Sequence, residues 1–153
     1  MKKIKKKHIL QRTGEFSHKV FQVKSGLLRS YSIDEKGKEH IFMFAPEGWI
    51  IADNGFPNQR SQLFIDAVED STVIQIEKRA LHNHDTKKLL KRIGVLQNRI
   101  IMLMSASAIE RYEHFIETYP DVVERVPQRM IASYLGITPE ALSTVKRLRR
   151  SKE

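Results

Sequence analysis

Cysteine is absent from this 153-residue chain, and so is any long hydrophobic run. Without cysteine, the protein has no disulfide framework, no iron–sulfur cluster and no thiolate zinc site. No apolar run approaches the roughly 18 residues of a membrane span. The charged start MKKIKKKHIL has no apolar stretch behind it, so it is not a secretory signal. These absences indicate a cytoplasmic protein without a membrane segment.

The motifs of common enzymes are absent as well. The sequence contains no glycine-rich phosphate loop, no Gly-x-Ser-x-Gly elbow and no His-Glu-x-x-His zinc motif. Among its six histidines, only His82 and His84 have a ligand-like spacing, and no third ligand follows at a suitable distance. We therefore predict that the protein is not an enzyme and has no catalytic residue, no metal site and no cofactor.

Acidic residues are scarce at the two ends of the chain. The whole chain has 27 Lys and Arg against 18 Asp and Glu, which gives a net charge of +9. Residues 1–29 contain nine basic residues and one acid, Glu15, while residues 143–152 contain five basic residues and no acid. A surplus of this kind indicates an anionic partner, with double-stranded DNA the first candidate. The lysine-rich start can also be read as a solvated tail.

Residues 8–77 have the pattern of short β-strands. Turn signals at residues 13–15, 24–26 and 34–37 separate apolar runs, namely HILQRT, KVFQVK, LLRSYSI, EHIFMF, LFIDAV and TVIQI. This pattern predicts an antiparallel barrel or double-sheet roll. Residues 45–61 interrupt it with two Gly, two Pro and two Asn, which favours a functional loop or a pocket-forming segment.

From about Thr86 the hydrophobic period becomes that of a helix. The spacing predicts one helix of roughly 20 residues, with Ile101 and Met104 alongside an apolar stripe formed by Leu89, Ile93, Leu96, Ile100 and Leu103. Because this stripe is broad, we predict that it forms a dimer interface, and packing within the same subunit is the alternative. A second helix is predicted over residues 106–117.

Residues 126–148 predict two short helices joined by a tight turn. Gly136 suits a helix C-terminus with positive φ, and Thr138, Pro139 and Glu140 have the residue types of an N-cap and a first helical turn. The shared apolar core is predicted to contain Ile131, Leu135, Ile137, Leu142, Val145 and Leu148. This is the pattern of a helix-turn-helix, whose second helix enters the major groove of DNA. An ordinary helical hairpin is the alternative.

The order of these parts resembles the Crp–Fnr family of bacterial transcription regulators. The segments that carry the resemblance are KVFQVKSGLLRSYSIDEKGKEH, ERYEHFIETYPDVVERVPQ and IASYLGITPEALS. The resemblance implies an α+β fold with an antiparallel β-roll of the double-stranded β-helix or jelly-roll type, similar to a cyclic-nucleotide-binding domain, over residues 1–85. It also implies a long dimerisation helix over residues 86–105 and a small helix-turn-helix domain over residues 106–153. The chain ends just past the motif, so we expect the family's β-wing to be lacking.

The resemblance also implies a homodimer that reads a palindromic operator in double-stranded DNA. By the family pattern, the base-reading positions are Pro139, Glu140, Ser143 and Thr144, preceded by Thr138. Lys146, Arg147 and Arg150 are expected nearer the DNA backbone, and Gln128 at the start of the first helix is a candidate phosphate contact. Glu140 can accept from a cytosine amino group, and Thr144 can contact a thymine methyl group.

The ligand loop departs from the family pattern. In members that bind cyclic AMP, a Gly-Glu pair contacts the ribose and an Arg-Ser pair binds the cyclic phosphate. The resemblance implies Gly48, Asp53, Arg60 and Ser61 as candidate ligand-binding residues, with Asp53 in place of the Glu. Alignment on Ile65 and Ala67 puts Ser61 where the Arg belongs, so we expect cyclic AMP to bind weakly or not at all.

Two other function classes remain open at this point. A β-roll is also the fold of cupin metal enzymes, which the histidine spacing disfavours. The second alternative is a β-roll that senses an unidentified small-molecule effector or a partner protein and binds DNA little.

Overall fold

The computed structural model describes residues 1–16, 18–53, 59–80 and 86–151, without the side chains of residues 80 and 86–92. The chain forms two compact units, Met1–His82 and Asn83–Glu153. The first unit consists of β-strands and the second of α-helices, so the predicted α+β class is confirmed. The finer three-part division at residues 85 and 105 stays a prediction. Within the described residues, no helix has the length and apolar character to cross a membrane.

The first unit is a double-sheet roll, as the spacing of strands and turns predicts. Its two antiparallel four-stranded sheets have the strand orders β1-β8-β3-β6 and β2-β7-β4-β5. The strands are β1 (Lys2–Ile4), β2 (Ile9–Gln11), β3 (Lys19–Ser25), β4 (Leu28–Ile33), β5 (Glu39–Ala45), β6 (Ile50–Ile51), β7 (Phe64–Ala67) and β8 (Ser71–Glu77). The roll core contains large buried side chains from both sheets, including Phe21, Val23, Leu28, Ile65 and Val73.

Two of these strands are missing from the sequence-based prediction. The lysine-rich start is not simply a solvated tail, because Ile4 pairs with Ser71 of β8 and is only 4% exposed. The sequence does not predict this strand, because a run of lysines is typical of a solvated segment. Strand β6 lies within the predicted loop at residues 45–61, where Ile51 pairs with Phe21 and joins the core.

A buried ion cluster links three strands of the second sheet. The Arg29 guanidinium, in a side chain 8% exposed, donates from Nε to Asp66 Oδ1 at 2.8 Å and also bonds Glu39. It lies 4.2 Å from the centre of the Tyr31 ring. Burial alone would lower the pKa of Arg29, but the hydrogen bonds to Asp66 and Glu39 outweigh that effect and raise it. The Arg29 cation is therefore paired with both carboxylates and stabilises the second sheet.

One glycine of the roll is required by its surroundings. Gly26 has φ +88°, and a Cβ there would lie 2.3 Å from Ser71 Oγ and 2.6 Å from the Asp70 carbonyl oxygen. Both the backbone conformation and the close approach therefore exclude a larger residue at the start of β4. The turn signal at residues 24–26 reflects this constraint.

The second unit contains four helices: α1 (Thr86–Ser105), α2 (Ala108–Thr118), α3 (Gln128–Leu135) and α4 (Pro139–Arg150). The start and length of α1 agree with the prediction. Helix α2 begins two residues later than predicted because Ser107 caps it. The Ser107 hydroxyl accepts from the Glu110 amide at 3.4 Å, and the Glu110 carboxylate accepts from the Ser107 amide at 2.7 Å.

Candidate nucleic-acid interface

The turn between α3 and α4 has the geometry that its sequence predicts. Gly136 is in the left-handed conformation at φ 67°, and the Ile137 amide donates to the Ala132 carbonyl at 3.1 Å. The Thr138 hydroxyl accepts from the Ala141 amide at 3.2 Å, and Pro139 occupies the first position of α4. The stop signal at Gly136 and the start signal at Thr138, two residues apart, fix where α4 begins and therefore which side chains lie at its tip.

The predicted core of the motif is largely correct, with two exceptions. Ile131, Leu135, Leu142 and Val145 are buried, whereas Ile137 is half-buried and Leu148 is 49% exposed. Leu148 was predicted in the core on its spacing alone. The motif also buries residues that the prediction omitted. Phe115 of α2, its C-cap Tyr119 and Tyr134 of α3 form an aromatic cluster in which ring centres lie 5.3–5.5 Å apart. This cluster anchors α3 to α2.

Two arginines that the sequence analysis did not single out tie the motif to α1. Arg99 donates to the Tyr134 carbonyl at 3.1 Å, and its guanidinium lies 3.8 Å from the centre of the Tyr134 ring. Arg111 donates to three carbonyls, those of Leu103 at 2.8 Å, Ala106 at 3.0 Å and Leu135 at 3.2 Å. These carbonyls end α1 and α3, so the cations lie at the negative ends of both helices. They position the motif relative to the long helix.

The predicted DNA-contacting residues lie on the surface of the motif. All are exposed except Lys146, which is half-buried. A groove of about 240 Å3 brings five of them together across α3 and α4: Gln128, Ser143, Lys146, Arg147 and Arg150. Thr138, Pro139, Glu140 and Thr144 are not among the residues that line it. The structure thus groups the predicted phosphate contacts and leaves most of the base-reading residues outside that groove.

The polar groups at the start of α4 are already ordered by hydrogen bonds. The Ser143 hydroxyl donates to the Pro139 carbonyl at 3.0 Å, and the Thr144 hydroxyl donates to the Glu140 carbonyl at 3.2 Å. Hydrogen bonds from its own backbone amide and from the Thr138 hydroxyl lower the pKa of the Glu140 carboxyl. Glu140 is therefore an ionised acceptor, suited to an amino group of a base and unsuited to a phosphate.

The candidate ligand residues of the roll do not form one open site. The Asp53 carboxylate is buried and accepts from the Ser61 hydroxyl at 3.1 Å and from the Gln62 amide at 3.0 Å. Arg60 points elsewhere, because it donates to the Gly14 carbonyl at 2.6 Å and lies 5.2 Å from the Phe16 ring centre. The Gly48 amide donates to the Val23 carbonyl at 2.9 Å. The structure joins Asp53 to Ser61 and separates Arg60 from both.

The predicted dimer stripe on α1 is exposed only in part. Ile93 and Ile100 are 43% and 57% exposed, and the neighbouring Ile101 and Met104 are 60% and 81% exposed. Leu96 and Leu103 are half-buried, and the side chain of Leu89 lies outside the described residues. Leu103 lies beside the turn of the motif, where its Cδ2 atom is 3.8 Å from the place of a Cβ on Gly136.

The two histidines with ligand-like spacing, His82 and His84, lie outside the described residues. Within the parts of the chain that are described, no group of three or more His, Cys, Asp or Glu side chains is arranged to hold a metal ion.

Comparison with known proteins agrees with this architecture. A family model described as the cyclic nucleotide-binding domain matches residues 1–84. The chain belongs to that domain family, in its Crp–Fnr branch. The resemblance that the sequence motifs indicate is thereby confirmed, and this branch consists of transcription regulators rather than enzymes.

Two Crp–Fnr relatives match most of the chain. Electron transport regulator A of Shewanella oneidensis is 29% identical over 93% of this chain and 65% of its own length. Regulatory protein HlyX of Actinobacillus pleuropneumoniae is 25% identical over 93% of this chain and 68% of its own length. Among solved structures, FixK2 from Bradyrhizobium japonicum has a TM-score of 0.80 at 21% identity, covering 99% of this chain and 84% of its own. The chain thus spans about two thirds of the length of these two regulators and shares the fold of FixK2.

Proposed function

We propose that this protein is a dimeric transcription regulator that reads a palindromic operator with α4. The observation that carries the proposal is the groove between α3 and α4, which gathers Gln128, Ser143 and three cations on one exposed surface. Amide, hydroxyl and basic side chains are the groups that bind DNA phosphates. The similarity to electron transport regulator A and regulatory protein HlyX supports a regulatory role.

The charges of α4 are arranged for a helix inserted by its N-terminal end. Its single acid, Glu140, lies in the first turn, and its basic residues occur from Lys146 onward. A helix that enters the major groove by its tip places the first turns against base edges and the later turns near the phosphates. Glu140 and Thr144, four residues apart on one face, would read bases together. Lys146, Arg147 and Arg150 would supply the affinity that depends on salt.

A dimer is supported by the exposed apolar face of α1. Ile93, Ile100, Ile101 and Met104 are each at least 43% exposed in the single chain. A contiguous apolar surface of this kind on a helix marks a protein interface. Pairing of two α1 helices would carry two α4 helices, because Arg99 and Arg111 tie the motif to α1 within each subunit. Half-sites centred about one helical turn of DNA apart would then be read together.

The roll would serve this dimer without cyclic AMP. The Asp53 carboxylate and the Ser61 hydroxyl are bonded to each other, and Arg60 is bonded to the Gly14 carbonyl. A cyclic phosphate in this loop would therefore lack its bidentate Arg partner. An unidentified small-molecule effector that acts elsewhere on the roll stays a prediction.

Selection of bound sequences from random duplex DNA tests the proposed function. The expected result is a consensus with two-fold symmetry, since two identical motifs read the two half-sites. Omission of any added nucleotide should not reduce the enrichment. Failure to enrich any sequence, with the folded protein present, would contradict DNA reading, and an asymmetric single half-site would contradict the dimer.

A further inference from the structure

Three polar side chains are buried together in the roll. Gln11 is 6% exposed, Asp53 is 4% exposed and Ser61 is 3% exposed. They come from strand β2, from the loop after β6 and from the segment before β7. Gln11 Nε2 donates to Ser61 Oγ at 2.6 Å and to the Leu63 carbonyl at 3.1 Å. Because burial of unpaired polar groups is costly, the arrangement requires that these groups satisfy one another.

Three donors converge on a single carboxylate oxygen of this cluster. Asp53 Oδ2 lies 3.1 Å from Ser61 Oγ, 3.0 Å from the Gln62 amide nitrogen and 3.3 Å from the Leu63 amide nitrogen. The Ser61 hydroxyl can also donate to the Leu63 carbonyl at 2.8 Å, and the Leu63 amide is shared with Ser61 Oγ at 3.2 Å. Because the Ser61 hydroxyl and the Leu63 amide are each shared with a second partner, the Gln62 amide is the least shared of the three donors to Asp53 Oδ2.

Successive backbone amides with an adjacent hydroxyl form a concave donor set that binds anions. Bonds of this kind to an ionised oxygen are stronger than bonds between neutral groups. A nearby cation adds to this environment, since Lys78 Nζ donates to the Asp53 carbonyl oxygen at 2.8 Å. Burial lowers the pKa of Lys78 and the charge of Asp53 opposes that shift, so the two charges interact. The donors at residues 61–63 thus have the chemistry of an oxyanion site.

We propose that residues 61–63 form an oxyanion site whose ligand is the chain's own Asp53 carboxylate. The site takes a carboxylate oxygen and would accept another small oxyanion only if Asp53 were removed. The roll therefore holds this loop in its liganded arrangement without any bound nucleotide. This inference rests on the part of the proposed function in which the roll acts without cyclic AMP. Its test does not involve DNA, so it can fail independently of DNA reading.

Asp34 provides a matched control for Asp53. Its carboxylate also accepts from two backbone amides, those of Lys36 and Lys38, each at 2.9 Å. Its side chain is 37% exposed in the turn between β4 and β5, so water can replace it when it is removed. Removal of Asp53 instead leaves the buried Ser61 hydroxyl and two part-buried backbone amides around a space that an anion of similar size can fill.

Chemical rescue of Asp53→Ala in the full chain tests the site. Thermal unfolding is measured in sodium formate and in sodium chloride at equal ionic strength. We expect the variant to unfold at a lower temperature than the wild type, and saturating formate to raise its Tm by about 4 °C or more relative to chloride. The wild type and Asp34→Ala should show no difference between the two salts. Equal Tm values for Asp53→Ala in formate and chloride would overturn the proposal.

Three further measurements keep the test decisive. If Asp53→Ala is unfolded in chloride, the folded fraction is compared in the two salts, and equal fractions overturn the proposal. Asp53→Asn keeps the size of the side chain and fills the site, so formate should not stabilise it, and rescue equal to that of Asp53→Ala would mean that formate acts elsewhere. Calorimetry with cyclic AMP on the wild type should show no heat of binding at the loop. Micromolar binding that Ser61→Ala abolishes would contradict an internally filled site.

Discussion

The groove beside α4 and the loop at residues 61–63 contain the same kinds of polar group and use them in opposite ways. In the groove, Gln128, Arg147 and Arg150 are exposed and line an open surface. In the loop, a hydroxyl and two backbone amides converge on one buried oxygen of Asp53. Donors can bind an added anion only where no internal acceptor already holds them. The helix is thus available to DNA phosphates, and the loop is not available to a nucleotide phosphate.

The largest expected effect is a loss of DNA binding caused by a change in α1 that leaves α4 unaltered. Ile100→Asp places a charge in the proposed apolar interface of α1, at a cost of several kcal/mol to the dimer. Sedimentation should show the wild type as a dimer and the variant as a monomer at micromolar concentration. Loss of one linked half-site should weaken binding to the selected palindrome by roughly 10²–10⁴-fold. Asn98→Asp, an equal charge change on the opposite side of α1, should leave both properties unchanged. A wild type that sediments as a monomer would contradict dimerisation through α1.

The second-largest expected effect comes from Arg111, which holds the motif that carries the groove against α1. Arg111→Ala removes the donors to the carbonyls of Leu103, Ala106 and Leu135, so we expect the second unit to lose about 1–3 kcal/mol of stability. Arg111→Lys keeps the charge but lacks the forked donors, and should recover only part of that loss. Denaturant unfolding of both variants measures the difference. Full recovery with Lys would mean that the charge at the helix ends matters and the three-way geometry does not.

The fold and the position of the motif could be predicted from sequence because their signals are local. Thr138 and Gly136 act through backbone groups within a few residues, so their roles are visible in the letters themselves. Arg111 could not be found in this way, because its partner Leu135 lies 24 residues further along the chain. Arg60 and Ser61 are the reverse case, in which the sequence suggests a shared site that the side chains do not form. The adjacent letters match a phosphate-binding pair, but the side chains bond to Gly14 and Asp53 in different directions.

A smaller effect on DNA affinity is expected from Arg147→Ala, which sharpens the distinction between open and filled donors. An exposed cation that contacts one phosphate per subunit releases one counterion there, so its loss should reduce the salt slope by about 0.9 units per contact. Binding to the selected palindrome and to random duplex DNA should weaken alike, as measured by fluorescence anisotropy over a range of salt. Lys36→Ala removes an equal charge from a turn of the roll and should change neither slope. An unchanged slope with Arg147→Ala would place that side chain away from the phosphates.

The smallest expected change in overall affinity comes from Glu140→Ala, and it separates base reading from phosphate binding on the same helix. The lowered pKa of the Glu140 carboxyl keeps it ionised even at pH values below the ordinary titration range of a glutamate, so at neutral pH it can only accept hydrogen bonds. Its removal should leave the salt slope nearly intact, since a carboxylate releases no counterion from a phosphate. It should relax the preference at one base pair per half-site by roughly 1–3 kcal/mol, measured with duplexes that vary that pair. Glu140→Gln keeps one acceptor oxygen and should retain part of the preference. If Glu140→Ala and Arg147→Ala reduced binding to selected and random DNA by the same factors, the two turns of α4 would not divide these tasks.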